Sequence, residues 1–208
     1  MKNNVNYSLY LVTDRDVLVD KDIYIGVEEA IKGGVTLVQI REKSVGTLEF
    51  YNIAVKIKTI TDKYNVPLII NDRIDIALAI DAAGVHLGQS DMPAGIARSI
   101  IGNNKIMGIS TSTLDEAQKA EREGADYVGV GAMFPTTTKD DASAVSIHCL
   151  KEIKDNISIP VVAIGGITEK NVDFLKIANI DGIAVVSDIL GKKCVKEAAE
   201  KLLCCMKL

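Results

Sequence analysis

Short apolar runs alternate with segments of helical spacing along the whole chain. Eight such runs are present, and each ends in small, polar or charged residues. Between consecutive runs, apolar residues recur at the intervals of an amphipathic helix. This alternation of strand and helix is typical of parallel βαβ units. The polar endings are Leu11 to Asp14, Gln39 to Lys43, Leu68 to Asp72, Val85 to Asp91, Gly108 to Thr111, Gly129 to Lys139, Ile164 to Ile167 and Ala184 to Asp188.

Eight βα units in 208 residues predict a single domain, residues 1–208, that folds as a (β/α)8 TIM barrel. The carboxyl ends of parallel strands lie on one face of a barrel, so we expect the polar endings to gather there. An open doubly wound sheet is the alternative. We favour the barrel because eight is its natural number of units, and because glycine-type phosphate signals follow the seventh and eighth runs.

Composition narrows the class of protein. Hydrophobic residues make up 48% of the chain and charged residues 25%, which allows one sizeable core. The net charge of -4, the aromatic content of 4% and the lack of Trp argue against a nucleic-acid partner. We see no secretory signal and no apolar stretch of about 18 residues or more, so we expect no membrane partner and a cytoplasmic location. The sequence leaves open whether the chain forms a homo-oligomer.

The second polar ending carries two cations. Gln39, Arg41 and Lys43 occupy alternate positions and would share one side of an extended segment, with Ile40 and Glu42 between them. Three donors on one side, two of them cationic, suit an anion with several oxygens such as a diphosphate. A solvated charged loop is the alternative interpretation.

Two carboxylates follow neighbouring runs. Asn71 and Asp72 end the third run, and Asp91 follows the fourth. Such a pair, opposite cations, matches the way proteins hold Mg2+ together with water and phosphate oxygens. The alternative is that Asp72 and Asp91 cap the helices that follow them.

A second candidate anion site lies in the last three endings. Residues 134–139 combine three Thr hydroxyls with a terminal lysine, which suits a phosphate. Gly165 and Gly166, and Val186 with Ser187, are expected to open the seventh and eighth helices, whose first amides would attract an anion. The sequence thus predicts one site for a metal-bound diphosphate and another for a monophosphate.

The chain contains two histidines. His86 falls in an apolar strand and His148 in a helical segment, so we interpret both as structural rather than as general bases. With many charged side chains at the strand ends and no histidine expected to act as a base, the sequence favours a reaction that depends on charge stabilisation over one that depends on proton transfer.

Seven motifs follow one another between residues 9 and 167. They are LYLVTDR at 9–15, VQIREK at 38–43, LIINDR at 68–73, GVHLGQSDMP at 84–93, GISTST at 108–113, ADYVGVGAMFPTTTK at 125–139 and VVAIGGI at 161–167. In this order they resemble the thiamine-phosphate synthase family. The resemblance implies a transferase that joins 4-amino-2-methyl-5-hydroxymethylpyrimidine diphosphate to a thiazole phosphate, giving thiamine phosphate and diphosphate with Mg2+ as cofactor.

The resemblance also implies residue roles by position. Mg2+ would be held by Asp72 and Asp91. The pyrimidine diphosphate would be bound by Gln39, Ile40, Arg41, Glu42, Lys43, Asn71, Ser110 and Lys139. The thiazole phosphate would be bound by Thr136, Thr137, Thr138, Gly166, Val186 and Ser187. The residues expected to act in catalysis are Arg41, Lys43, Ser110 and Lys139.

Two other functions remain as alternatives. A thiazole tautomerase of the same fold isomerises the thiazole phosphate, and it would not need the cationic cluster or the carboxylate pair. A noncatalytic sensor of a phosphate ligand would bind without forming product.

Overall fold

The computed structural model describes residues 5–18, 21–136 and 144–206, and its centre is a closed parallel barrel. The eight strands pair in chain order, and the last pairs with the first. They are Leu9–Val12, Leu37–Ile40, Leu68–Asn71, Gly84–Leu87, Ile106–Thr111, Tyr127–Val130, Val161–Ile164 and Gly182–Val185, here β1 to β8. The (β/α)8 prediction is therefore confirmed, and the open doubly wound alternative is wrong.

The strands are continuous apolar runs because both of their faces are buried. Alternate side chains of a barrel strand point inward and outward. Tyr10, Leu37, Ile69 and Tyr127 belong to one buried cluster, which fills the barrel interior. Their strand neighbours belong to a second, larger cluster, which lies between the barrel and the helices.

The helices surround the barrel and bury one face each. In the first, Ile23, Val27, Ala30 and Ile31 are buried, at the spacing of a core-facing stripe. The helices are Ile23–Lys32, Thr47–Lys63, Ile74–Ala79, Ala94–Ile101, Leu114–Arg122, Ile147–Asn156, Ser187–Leu190 and Val195–Met206, here α1 to α8. Within the described ranges, no helix combines the length and the apolar character needed to cross a membrane.

The segment after β7 departs from expectation. We predicted that Gly165 and Gly166 open a helix, but the next helical element is a 3-10 helix that begins only at Val172. That prediction is wrong because both glycines have positive φ, 98° and 62°, which is incompatible with a right-handed helical turn. Ser187 does begin a helix, the short α7, which precedes the long terminal helix α8.

Candidate active site

The carboxyl ends of β1 to β8 surround one end of the barrel, which we call the mouth. Gln39, Asn71 and Ser110 lie on the inward face at this end, since each continues the alternation of the interior side chains on its strand. Ile40 differs, because its side chain packs between the barrel and the helices. A ligand contact from Ile40 would therefore come from its backbone.

Lys43, Asp72 and Asp91 meet at the mouth, and we call these three residues, together with Arg41 directly after β2, the charged cluster. The Lys43 Nζ donates to the Asp72 carboxylate at 2.5 Å. Asp91 lies within interaction range of both groups, and its own carboxylate accepts from the Gly88 amide at 2.6 Å. The chain thus brings together a lysine and two carboxylates from three different strand ends.

The pKa of Asp91 is raised above its ordinary value. Partial burial is the main cause, and the neighbouring Asp72 carboxylate adds to the rise. The Gly88 amide and the Lys43 ammonium act in the opposite direction. Two crowded carboxylates are the arrangement that a divalent cation relieves by binding between them.

The donor set of the charged cluster fits Mg2+. Among the residues that the structure describes, no group of three or more His, Cys, Asp or Glu side chains could hold a metal ion. Two carboxylates alone suit an ion that keeps several waters and takes further oxygens from a substrate phosphate, as Mg2+ does.

Neither carboxylate caps the helix that follows it. The residue that precedes α3 is Arg73 and the one that precedes α4 is Pro93, and neither cap position makes a side-chain hydrogen bond to the helix. Asp72 instead adopts a positive φ of 61°, and its amide donates to the His86 carbonyl of β4 at 2.9 Å. The capping alternative is therefore wrong.

Arg41 and Glu42 are held by the loop after β1. The Arg41 amide donates to the Thr13 hydroxyl at 3.1 Å, and its guanidinium lies 3.4 Å from the Asp14 carboxylate. The Glu42 carboxylate accepts from Arg15 at 3.0 Å. Burial raises the pKa of Glu42, and the charge of Arg15 opposes the rise. Glu42 thus contributes by anchoring the loop beside Arg41.

The loops after β6 and β7 interlock, and we call residues 131–136 and 165–168 the glycine loops. The Phe134 amide donates to the Gly165 carbonyl at 3.0 Å. A Cβ atom at Gly166 would stand 2.4 Å from the Pro135 carbonyl oxygen, so only glycine fits there. Thr136 is the last residue described before the gap at 137–143. The predicted ligands Thr137, Thr138 and Lys139 lie outside the described residues.

The start of α7 contacts the residue that follows the second glycine loop. Val186 occupies the position before the helix and Ser187 begins it. Asp188, in the first turn, accepts from the Glu169 amide at 2.9 Å and pairs with Lys192 at 2.5 Å. The ends of β7 and β8 are therefore connected to each other, and the loop after β7 contacts the loop after β6.

A chain of polar side chains crosses the barrel interior below the mouth. Gln39 contacts Tyr10, Tyr10 contacts Tyr127, Tyr127 contacts His86, and His86 contacts Ser110, all within 2.9 Å. The sequence did not identify Tyr10 or Tyr127 as polar components of the site. Both stand in apolar runs, where Tyr is an ordinary strand residue, so no local signal marked their hydroxyls.

The sequence matches a known protein family over most of its length. The family model described as thiamine monophosphate synthase matches residues 9–189. The chain belongs to this family. The match begins at β1 and ends in α7, so it includes both the charged cluster and the glycine loops.

Individual relatives agree with the family assignment. A thiamine-phosphate synthase of Clostridium tetani is 62% identical over 96% of this chain and 95% of that protein. One from Alkaliphilus oremlandii is 61% identical over 97% of this chain and 98% of its own length. Among solved structures, a thiamine phosphate pyrophosphorylase from Pyrococcus furiosus superposes with a TM-score of 0.90 at 40% identity, covering 98% of this chain and 96% of that one.

Proposed function

We propose that this protein is a transferase of thiamine biosynthesis. It joins 4-amino-2-methyl-5-hydroxymethylpyrimidine diphosphate to a thiazole phosphate and releases diphosphate, leaving thiamine phosphate. The observation that carries the proposal is the meeting of Lys43, Asp72 and Asp91 at the mouth. Full-length relatives named thiamine-phosphate synthase support it.

The charged cluster binds the diphosphate of the first substrate. Arg41 and Lys43 supply positive charge to its oxygens, and Asp72 and Asp91 would hold Mg2+. Bound Mg2+ supplies charge neutralisation on the leaving group. The Lys43 ammonium already contacts a carboxylate, so a small movement of this flexible side chain suffices to place it on a phosphate oxygen.

The glycine loops and the start of α7 bind the thiazole phosphate. Thr136, Gly166, Val186 and Ser187 offer hydroxyls and backbone amides, donors that suit a monophosphate. Thr137 and Thr138 complete this proposed set from their sequence positions, whereas Lys139 is proposed to bind the pyrimidine diphosphate. Because the glycine loops follow β6 and β7, they lie at the same end of the barrel as the charged cluster.

The residues at the mouth promote departure of the leaving group without forming a covalent bond to substrate. The bond between the pyrimidine methylene carbon and the diphosphate oxygen breaks first, and its electron pair leaves with the diphosphate. The thiazole nitrogen then supplies an electron pair to the resulting pyrimidine methyl cation. Arg41, Lys43, Ser110 and Lys139 stabilise the departing charge, and the barrel walls hold the two rings in line.

The proposal is tested by supplying both substrates and Mg2+ and measuring diphosphate and thiamine phosphate together. We expect the two products in equal amounts, and loss of both when a chelator removes the metal. Isomerisation of the thiazole phosphate without diphosphate release would identify a tautomerase. Binding of substrate without any product would identify a sensor. Either result would overturn the proposal.

A cytoplasmic location and small-molecule partners belong to the same proposal. Both proposed substrates are charged phosphate esters, which cross lipid bilayers poorly because charge is costly in hydrocarbon. We therefore place the enzyme in the compartment where these compounds are made.

A further inference from the structure

Five side chains form one continuous hydrogen-bonded chain across the barrel interior. The Gln39 Nε2 lies 2.7 Å from the Tyr10 hydroxyl, which lies 2.9 Å from the Tyr127 hydroxyl. The Tyr127 hydroxyl lies 2.9 Å from His86 Nδ1, and His86 Nε2 lies 2.9 Å from Ser110 Oγ. The chain links β2 to β5 through β1, β6 and β4, and both of its ends lie at the mouth.

Donors and acceptors along this chain follow one direction. The Gln39 amide nitrogen donates, so the Tyr10 hydroxyl accepts. Tyr10 is 1% exposed, and a buried hydroxyl proton requires an acceptor. The acceptor that the structure offers it is the Tyr127 hydroxyl.

The same direction of donation indicates which ring nitrogen of His86 accepts a hydrogen bond. Tyr127 is fully buried and already accepts from Tyr10, so its own proton goes to His86 Nδ1. A ring nitrogen that accepts carries no proton. With this direction of donation, the His86 proton is on Nε2, and this N–H donates to Ser110 Oγ.

Ser110, at the end of this hydrogen-bonded series, determines which polar group faces a ligand at the mouth. Ser110 is half-buried, and its hydroxyl oxygen accepts from His86, so the hydroxyl proton is directed away from the histidine and toward the mouth. We propose that Tyr10, Tyr127 and His86 are positioning residues, which fix Ser110 as a hydrogen-bond donor to an acceptor atom of the substrate. The link to the substrate rests on the proposed function, whereas the proton direction does not.

The proton direction is tested by nitrogen NMR of the whole protein labelled with 15N-histidine, at neutral pH and without ligand. The substitution His148→Gln, at an exposed position of α6, leaves a single histidine to observe. We expect His86 to show a protonated Nε2 and an unprotonated Nδ1. A ring protonated on Nδ1, or on both nitrogens, would overturn the proposal whether or not the protein makes thiamine phosphate.

The positioning role is tested with Tyr127→Phe, which removes the hydroxyl in the middle of the chain. We expect the single His86 tautomer to be lost and KM for the pyrimidine diphosphate to rise about tenfold, the scale of one buried hydrogen bond. The matched control is Tyr7→Phe. The Tyr7 ring lies 4.9 Å from the Tyr127 ring and is also buried, but the Tyr7 hydroxyl does not belong to the series of hydrogen bonds from Gln39 to Ser110.

The control is expected to keep both the tautomer and the KM of the unsubstituted protein. An unchanged tautomer and KM in Tyr127→Phe would contradict the positioning role. Equal changes in the two variants would also contradict it, because ring packing would then explain them. Should Tyr127→Phe fail to fold, the tautomer of the unsubstituted protein still decides the direction of the chain.

Discussion

The two halves of the mouth prepare for an anion in different ways. The charged cluster presents ionised side chains, with Lys43 and Asp72 in direct contact and Asp91 beside them. The glycine loops present backbone groups instead. Their backbones pass so close to each other that no side chain fits at Gly166. A departing diphosphate is stabilised best by charged side chains that can move with it. A monophosphate that stays intact needs only a binding pocket of fixed shape. If the proposed function is correct, we expect the charged cluster to contribute more to bond breaking than the glycine loops do.

Removal of a cation from the charged cluster should have the largest effect. We expect Lys43→Ala to lower kcat about 10²-fold, the scale of losing one preorganised donor to developing charge. The matched control is Lys151→Ala, because Lys151 also pairs with an aspartate at similar exposure, on α6. Steady-state kinetics with both substrates measure the effect. An unchanged kcat would mean that the charged cluster, like the glycine loops, binds substrate but does not stabilise the departing diphosphate.

Removal of a carboxylate should act through the metal. Asp72→Ala is expected to raise the Mg2+ concentration for half-maximal activity at least about tenfold, since even indirect partners of a metal commonly contribute that much. Asp155→Ala, which removes the acidic partner of Lys151, is the control. Titration of activity with Mg2+ gives the midpoint. A midpoint equal to that of the unsubstituted protein would exclude Asp72 from the metal site.

Adding a side chain to the glycine loops should change the shape of the proposed monophosphate site without changing its charge. Gly166→Ala adds a methyl group against the Pro135 carbonyl at a positive φ, so it should lower stability by roughly 1–3 kcal/mol. We expect KM for the thiazole phosphate to rise roughly tenfold with a smaller change in kcat. In the control Gly95→Ala, on α4, the added methyl meets open space.

The Gly95 control is expected to gain up to about 1 kcal/mol of stability, as Ala favours a helix over Gly. Thermal melts and KM values are measured for both variants. A fall in kcat for Gly166→Ala as large as that for Lys43→Ala would abolish the distinction between the two halves of the mouth.

The sequence predicted the barrel because its signal is repeated eight times and does not depend on any single residue. It also placed Lys43, Asp72 and Asp91 at one end, since strand ends of a parallel barrel necessarily meet. It could not decide whether the carboxylates cap helices. That depended on the local backbone, and the positive φ of Asp72 is visible only in the structure.

Two features of the site were beyond the sequence for physical reasons. The glycine pair after β7 was interpreted as a helix start, whereas its positive φ values form a turn. The Tyr10 and Tyr127 hydroxyls were missed because strands buried on both faces lack the polar alternation that separates inward from outward positions. The roles of Thr137, Thr138 and Lys139 stay predictions, as these residues lie outside the described ranges.

The contact between Gly166 and the Pro135 carbonyl has a consequence for redesign. Because backbone meets backbone there, a displacement of either loop must be matched by its neighbour. A variant meant to accept a bulkier phosphate ester would therefore need coordinated changes in both loops, which are about thirty residues apart in the sequence. A substitution that displaced only one loop would make its backbone clash with the other.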